Sequence, residues 1–98
     1  MPRPARLDDA AVAEALALLP DWIREEGEIV RTYAFDAYAH GALFAAGVAL
    51  LADRADHHPD LRLTYRKVEV RSSTHDAGGL TTLDFDLAGQ IEKLFTSR

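Results

Sequence analysis

Between Asp36 and about Asp56 the chain runs without a proline and is almost wholly apolar or small. The spacing predicts one long helix with Asp36 as its N-cap. Phe44, Val48 and Leu51 fall on one side of it, and Leu43 and Leu50 on another. In a chain of 98 residues, one sheet cannot cover a helix that is apolar round so much of its circumference. Gly41, Ala42, Ala45, Ala46, Gly47 and Ala49 are small enough to let another helix approach. The expectation is a homodimer or homotetramer formed through this helix, a sheet edge, or both.

The helix must stop near His57, because His58 precedes Pro59 and a residue before proline is pushed out of the α region. On either side of it the hydrophobic period changes. Residues 7–20 predict a short helix capped by Asp8 or Asp9, with Val12, Leu16 and Leu19 on one stripe and Pro20 as its end. Residues 21–35 predict a hairpin with Gly27 in its turn, and Ile29, Arg31, Tyr33 and Phe35 on one face. Past the histidines, Leu61, Leu63 and Tyr65 alternate. After a tight connection near Arg66–Lys67, Val68 and Val70 do the same. Gly78 and Gly79 then lead into a last helix, where Thr81 and Asp84 form a capping box and Leu83, Leu87, Ile91 and Leu94 keep helical spacing. The order α-β-β-α-β-β-α, without long crossovers, predicts an α+β fold over residues 1–98: a four-stranded antiparallel sheet with helices on one face.

Composition narrows the function. The absence of cysteine excludes a disulfide framework, a thiolate metal site and a thiol nucleophile. A formal charge of −5 argues against nucleic acid as the main partner, although residues 62–71 hold four of the eleven Lys and Arg residues. No apolar run reaches membrane-spanning length, and the start of the chain does not read as a signal peptide. A soluble cytoplasmic protein is expected.

Four histidines remain to be explained. Asp53 and His57 lie four apart at the helix end, a spacing at which a carboxylate can orient an imidazole and tune its proton affinity. His58 points elsewhere, and Pro59 stiffens the exit. His75 sits at a strand end rich in hydrogen-bonding groups: Ser72, Ser73, Thr74 and Asp76. His40, alone early in the long helix, reads as a structural residue without a part in the chemistry. A metal site built from His57, His58, His75 and an aspartate is the weaker alternative, because adjacent side chains diverge and no i, i+4 histidine pair is present. Metal-free acid–base chemistry fits better, since imidazoles give and take protons near neutrality.

At these residues the sequence resembles the pterin-4a-carbinolamine dehydratases. The resemblance rests on Asp53, His57-His58-Pro59, Tyr65, His75 and Asp84 at family spacing. It is extended by "STHDAGGLT" (73–81), by the following "LDFDLAGQIEKL", and by Trp22 with the "EGEIVRTYAF" hairpin. It covers roughly residues 7–96. Leu61 departs from the aromatic residue common there, and Asp53 replaces the commoner glutamate. The resemblance implies dehydration of a 4a-hydroxytetrahydropterin to the quinonoid dihydropterin, the step that regenerates the cofactor of aromatic amino acid hydroxylases, with neither metal nor organic cofactor. It implies proton transfer by His57 and His75 and a substrate grip by His58. Pro59, Thr74, Asp76 and Ala77 would line the pterin site, Asp53 would stand behind His57, and Asp84 would cap the last helix. Because some family members also serve as dimerisation cofactor of a homeodomain transcription factor, a non-catalytic interaction module on the same fold is the alternative expectation.

Overall fold

The computed structural model describes residues 4–97. Helix α1 spans Asp9–Ala17, and the hairpin strands β1 and β2 span Ile23–Glu25 and Glu28–Ala34. The long helix α2 covers Tyr38–Ala55. Strands β3 (Asp60–Thr64) and β4 (Lys67–Ser72) follow, then a single 3-10 turn at His75–Ala77 and helix α3 (Thr82–Thr96). The strands form one antiparallel sheet in the order β1-β2-β4-β3. The expected element order and α+β architecture hold.

Register decides which residues meet the helices. Ile29 pairs with Ser72, Arg31 with Val70 and Tyr33 with Val68, while Leu61 and Leu63 oppose Val70 and Val68 from the other side. Alternation along a strand then sends Thr32, Glu69 and Arg62 to the opposite, solvent-facing side, where the basic residues of the 62–71 stretch gather. On the inner side the Tyr33 ring packs at a tilt with its centroid 4.7 Å from those of both Phe44 of α2 and Phe95 of α3. Such ring pairs contribute about 0.5–1.5 kcal/mol each beyond the area they bury.

Two contacts set how closely α2 approaches its neighbours. At Gly41 an added Cβ would lie 3.2 Å from Leu63 Cδ1, and at Gly47 one would lie 2.9 Å from Leu94 Cδ2. These two glycines therefore serve intrachain packing against β3 and α3, while Ala46 and Ala49 are exposed. Phe44, Val48 and Ala52 are buried with them, whereas Leu43 and Leu50 are 72% and 67% exposed. Among the described residues no helix is long and apolar enough to cross a membrane.

Several boundaries differ from expectation. Helix α1 ends at Ala17, where the Leu18 and Leu19 N–H groups turn back to Ala15 and Leu16, three residues short of Pro20. Ala37, not Asp36, is the N-cap of α2, and it makes no side-chain capping bond. The β3–β4 turn is Tyr65–Arg66, with Arg66 at φ 68°, so Tyr65 leaves the strand and stands exposed. In the β1–β2 turn the left-handed residue is Glu26, at φ 55°, beside the expected Gly27.

A polar hub fastens α3 to the sheet. Glu92 Oε1 accepts hydrogen bonds from Trp22 Nε1 at 2.8 Å, from the Tyr33 hydroxyl at 2.7 Å and from the Arg31 guanidinium. Burial pushes the Glu92 carboxyl up, but these three donors and the Arg31 charge outweigh it and hold the group below the usual carboxylate range. Burial and the Glu92 carboxylate together push the Tyr33 phenol above its ordinary range.

Candidate active site

The site begins where α2 ends. Asp56 adopts the left-handed conformation (φ 50°, ψ 42°), and the His57 N–H bonds back to the Ala52 carbonyl at 3.1 Å. Aspartate tolerates this conformation better than most residues, and it turns the chain sharply out of the helix. The i, i+4 relation expected between Asp53 and His57 is thereby broken. Asp53 instead faces His58, whose Nε2 lies 2.9 Å from Asp53 Oδ1. Both side chains are more than half exposed, so this pair adds little to stability. The placement of Asp53 behind His57 is corrected accordingly.

The carboxylate that does hold His57 is Asp84. Its Oδ1 accepts from His57 Nε2 at 2.7 Å and from the Ser72 hydroxyl at 2.6 Å. Its Oδ2 accepts from the Thr74 hydroxyl at 2.7 Å and from the Thr81 backbone N–H at 3.0 Å. The Thr74 proton is thus committed, so the Thr81 hydroxyl donates to Thr74 Oγ1 at 2.8 Å while accepting from Leu83 N–H. Asp84 is completely buried and receives four donors, which is the condition under which a buried carboxylate is tolerated. It closes the expected capping box at the start of α3 and grips His57 with its other oxygen. The second role was missed from sequence, although Asp84 belongs to the spacing pattern quoted above.

Because a carboxylate only accepts, the contact places the His57 proton on Nε2 and leaves the Nδ1 lone pair as the acceptor of the neutral ring. His57 is 6% exposed, while His58 and His75 are exposed. All three, from two separate segments, line one cleft of about 150 Å³ together with Asp56, Ser73, Thr74 and Asp76. Asp56 and Ser73 join the expected residues. Pro59 and Ala77 are not part of this lining: Pro59 leads away into β3, and Ala77 closes the 3-10 turn through its N–H to the Thr74 carbonyl. Among the described residues, no group of three or more His, Asp or Glu side chains converges as a metal-binding set. His40 lies elsewhere, on a separate apolar groove with Phe35, Leu43, Phe44 and Leu94.

The family described as Pterin 4 alpha carbinolamine dehydratase matches residues 5–94. A protein of Roseiflexus castenholzii that carries the name pterin-4-alpha-carbinolamine dehydratase is 46% identical over 90 residues, or 92% of this chain and 97% of that one. One from Halobacterium salinarum with the same name is 46% identical over 87 residues, or 89% and 93%. Among solved structures, a transcriptional coactivator/pterin dehydratase from Brucella melitensis is similar with a TM-score of 0.86 at 32% identity, covering 91% of this chain and 97% of that one. A pterin dehydratase-like RuBisCO assembly factor of the alpha-carboxysome shares the fold, with a TM-score of 0.60 at 18% identity over 74% and 84% of the two chains.

Proposed function

The chain belongs to the pterin 4 alpha carbinolamine dehydratase family, and from that premise we propose that it dehydrates a 4a-hydroxytetrahydropterin to the quinonoid dihydropterin by histidine acid–base catalysis. One observation carries the reading: His57, His58 and His75 line a single cleft. At about 150 Å³ it falls below the roughly 300–1,000 Å³ of drug-sized pockets, so it suits the edge of a flat bicyclic ring held half in solvent. A proton delivered to the 4a-hydroxyl lets it leave as water while the N5 lone pair forms the C4a–N5 double bond. The ring then gives up one proton to a second imidazole. His75, exposed at the rim, is the proposed acid, and His57, with Nδ1 as its free acceptor, the proposed base. His58 grips the substrate, beside Thr74 and Asp76. Turnover of this kind belongs in the cytoplasm beside an aromatic amino acid hydroxylase, which would release the 4a-hydroxytetrahydropterin that this step consumes.

The test is the rate at which the purified protein removes 4a-hydroxytetrahydropterin above the uncatalysed rate. Acid–base catalysis contributes about 10²–10⁴-fold, so His75→Ala should lose most of the acceleration. An unaccelerated wild type would overturn the activity, and an unchanged His75→Ala rate the assignment of the acid.

The exposed Leu43 and Leu50 favour a second reading, a non-catalytic interaction module on the same fold, while a dimer or tetramer through this face of α2 is compatible with the enzyme as well. A crystal soaked with a reduced pterin separates the two, since density at the histidine cleft supports the enzyme and an empty cleft supports the interaction module.

A further inference from the structure

The loop that carries His75 is pinched at its base. Thr74 N–H donates to the Gly79 carbonyl at 2.9 Å, Gly79 N–H returns to the Thr74 carbonyl at 3.3 Å, and Gly78, at φ 75°, bonds the His75 carbonyl at 3.0 Å. On one side stands the histidine cleft. On the other, Gly78 borders a second cleft of about 460 Å³, lined also by Arg6, Asp8, Arg24 and Glu26. Two adjacent glycines offer no side chains to fill that space, and glycine is the residue least restrained in conformation. On that side the stem of Arg6 packs directly against the glycine backbone. A Cβ built on Gly79 would lie 2.8 Å from Arg6 Cδ and 3.2 Å from Cγ. The next residue, Leu7, anchors the segment by donating its N–H to the Leu80 carbonyl at 2.8 Å, and Leu80 is buried in the core.

We propose that Arg6 is a positioning residue: its methylene stem braces the neck of the His75 loop from behind, holding His75 over the cleft it shares with His57. The brace is a statement of geometry, while its effect on turnover rests on the dehydratase reading. The contact is made by Cγ and Cδ, so a lysine stem serves where alanine does not.

The test compares wild type, Arg6→Ala and Arg6→Lys by NMR amide exchange and by steady-state dehydration of 4a-hydroxytetrahydropterin. In Arg6→Ala, exchange at Ala77, Gly78 and Gly79 should quicken on the order of ten-fold, while Val68 and Val70 in β4 stay as in wild type, marking local opening without global unfolding. In the same variant kcat should fall on the order of ten-fold with KM moving less, because a small misplacement of a reacting group is costly to rate. Arg6→Lys should restore both. Unchanged exchange at the loop in Arg6→Ala overturns the brace, and so does a lysine variant that behaves like alanine. If loop exchange responds but the wild type shows no turnover, the brace stands and the dehydratase reading fails.

Discussion

The carboxylate of Asp84 ends 2.7 Å from Nε2 of His57, across 27 residues of sequence, the two lying on either side of the β3–β4 hairpin in the chain. The two are held in this relation by the capping box of α3, so helix start and imidazole share one group.

Replacement by its amide separates shape from charge. Asp84→Asn keeps the volume but cannot accept all four donors, so it should destabilise the protein by about 1–3 kcal/mol in thermal melts. It should also lower kcat/KM by about 10²-fold, and move the His57 ring proton signals in nitrogen-edited spectra. Asp53→Ala, by contrast, removes a partner from exposed His58 and should change stability by less than about 1 kcal/mol. Equal effects from the two substitutions would contradict the arrangement described.

Glu92 makes acid stability partly its own. Its carboxyl is lower in the fold than in the unfolded chain, so its contribution is complete above the usual carboxylate range. The contribution drains away as pH falls through the lowered folded value. Chemical unfolding of Glu92→Gln should therefore show a flatter acid limb below about pH 5 than wild type. Glu92→Ala should cost about 2–3 kcal/mol at neutral pH by stranding Trp22 Nε1, the Tyr33 hydroxyl and Arg31.

Glycine positions give opposite signs. Nothing lies within 4 Å of a Cβ added at Gly89 in α3, so Gly89→Ala should stabilise by up to about 1 kcal/mol through helix propensity alone. Gly78 is left-handed, and Gly78→Ala should destabilise by about 1 kcal/mol or more. Paired thermal melts check both.

The exposed face of α2 predicts association. Wild type should elute from sizing chromatography as a dimer or tetramer at micromolar concentration, and Leu43→Glu with Leu50→Glu as a monomer. A monomeric wild type would remove the argument for that face as an interface.

Much of this architecture is legible in the sequence because local rules act alone in it. The period-two runs, the apolar stripe of α2 and the Thr81–Asp84 box each appear where their residues predict. Misreadings occur where one backbone angle intervenes. Asp56 in the left-handed region uncouples Asp53 from His57, and Arg66 in the same region moves the turn by one residue and frees Tyr65. The Glu92 hub is invisible in one dimension. Glu92 reads as a polar helix position between Ile91 and Leu94, and its three donors come from β2 and from the residue preceding β1. Asp84 was visible as a cap and hidden as a partner, because the donors on its two oxygens come from four different places in the chain.

The shared carboxylate has a consequence for how the protein tolerates change. Substitutions at Ser72, Thr74, Thr81 or Asp84 touch a buried cluster, so damage there should register together in melting temperature and in turnover. At His58 and His75, which are exposed, the two quantities are free to part. A chain of this shape can drift from enzyme to binding protein by losing its rim histidines while staying folded, whereas loss of the buried half would unmake both at once.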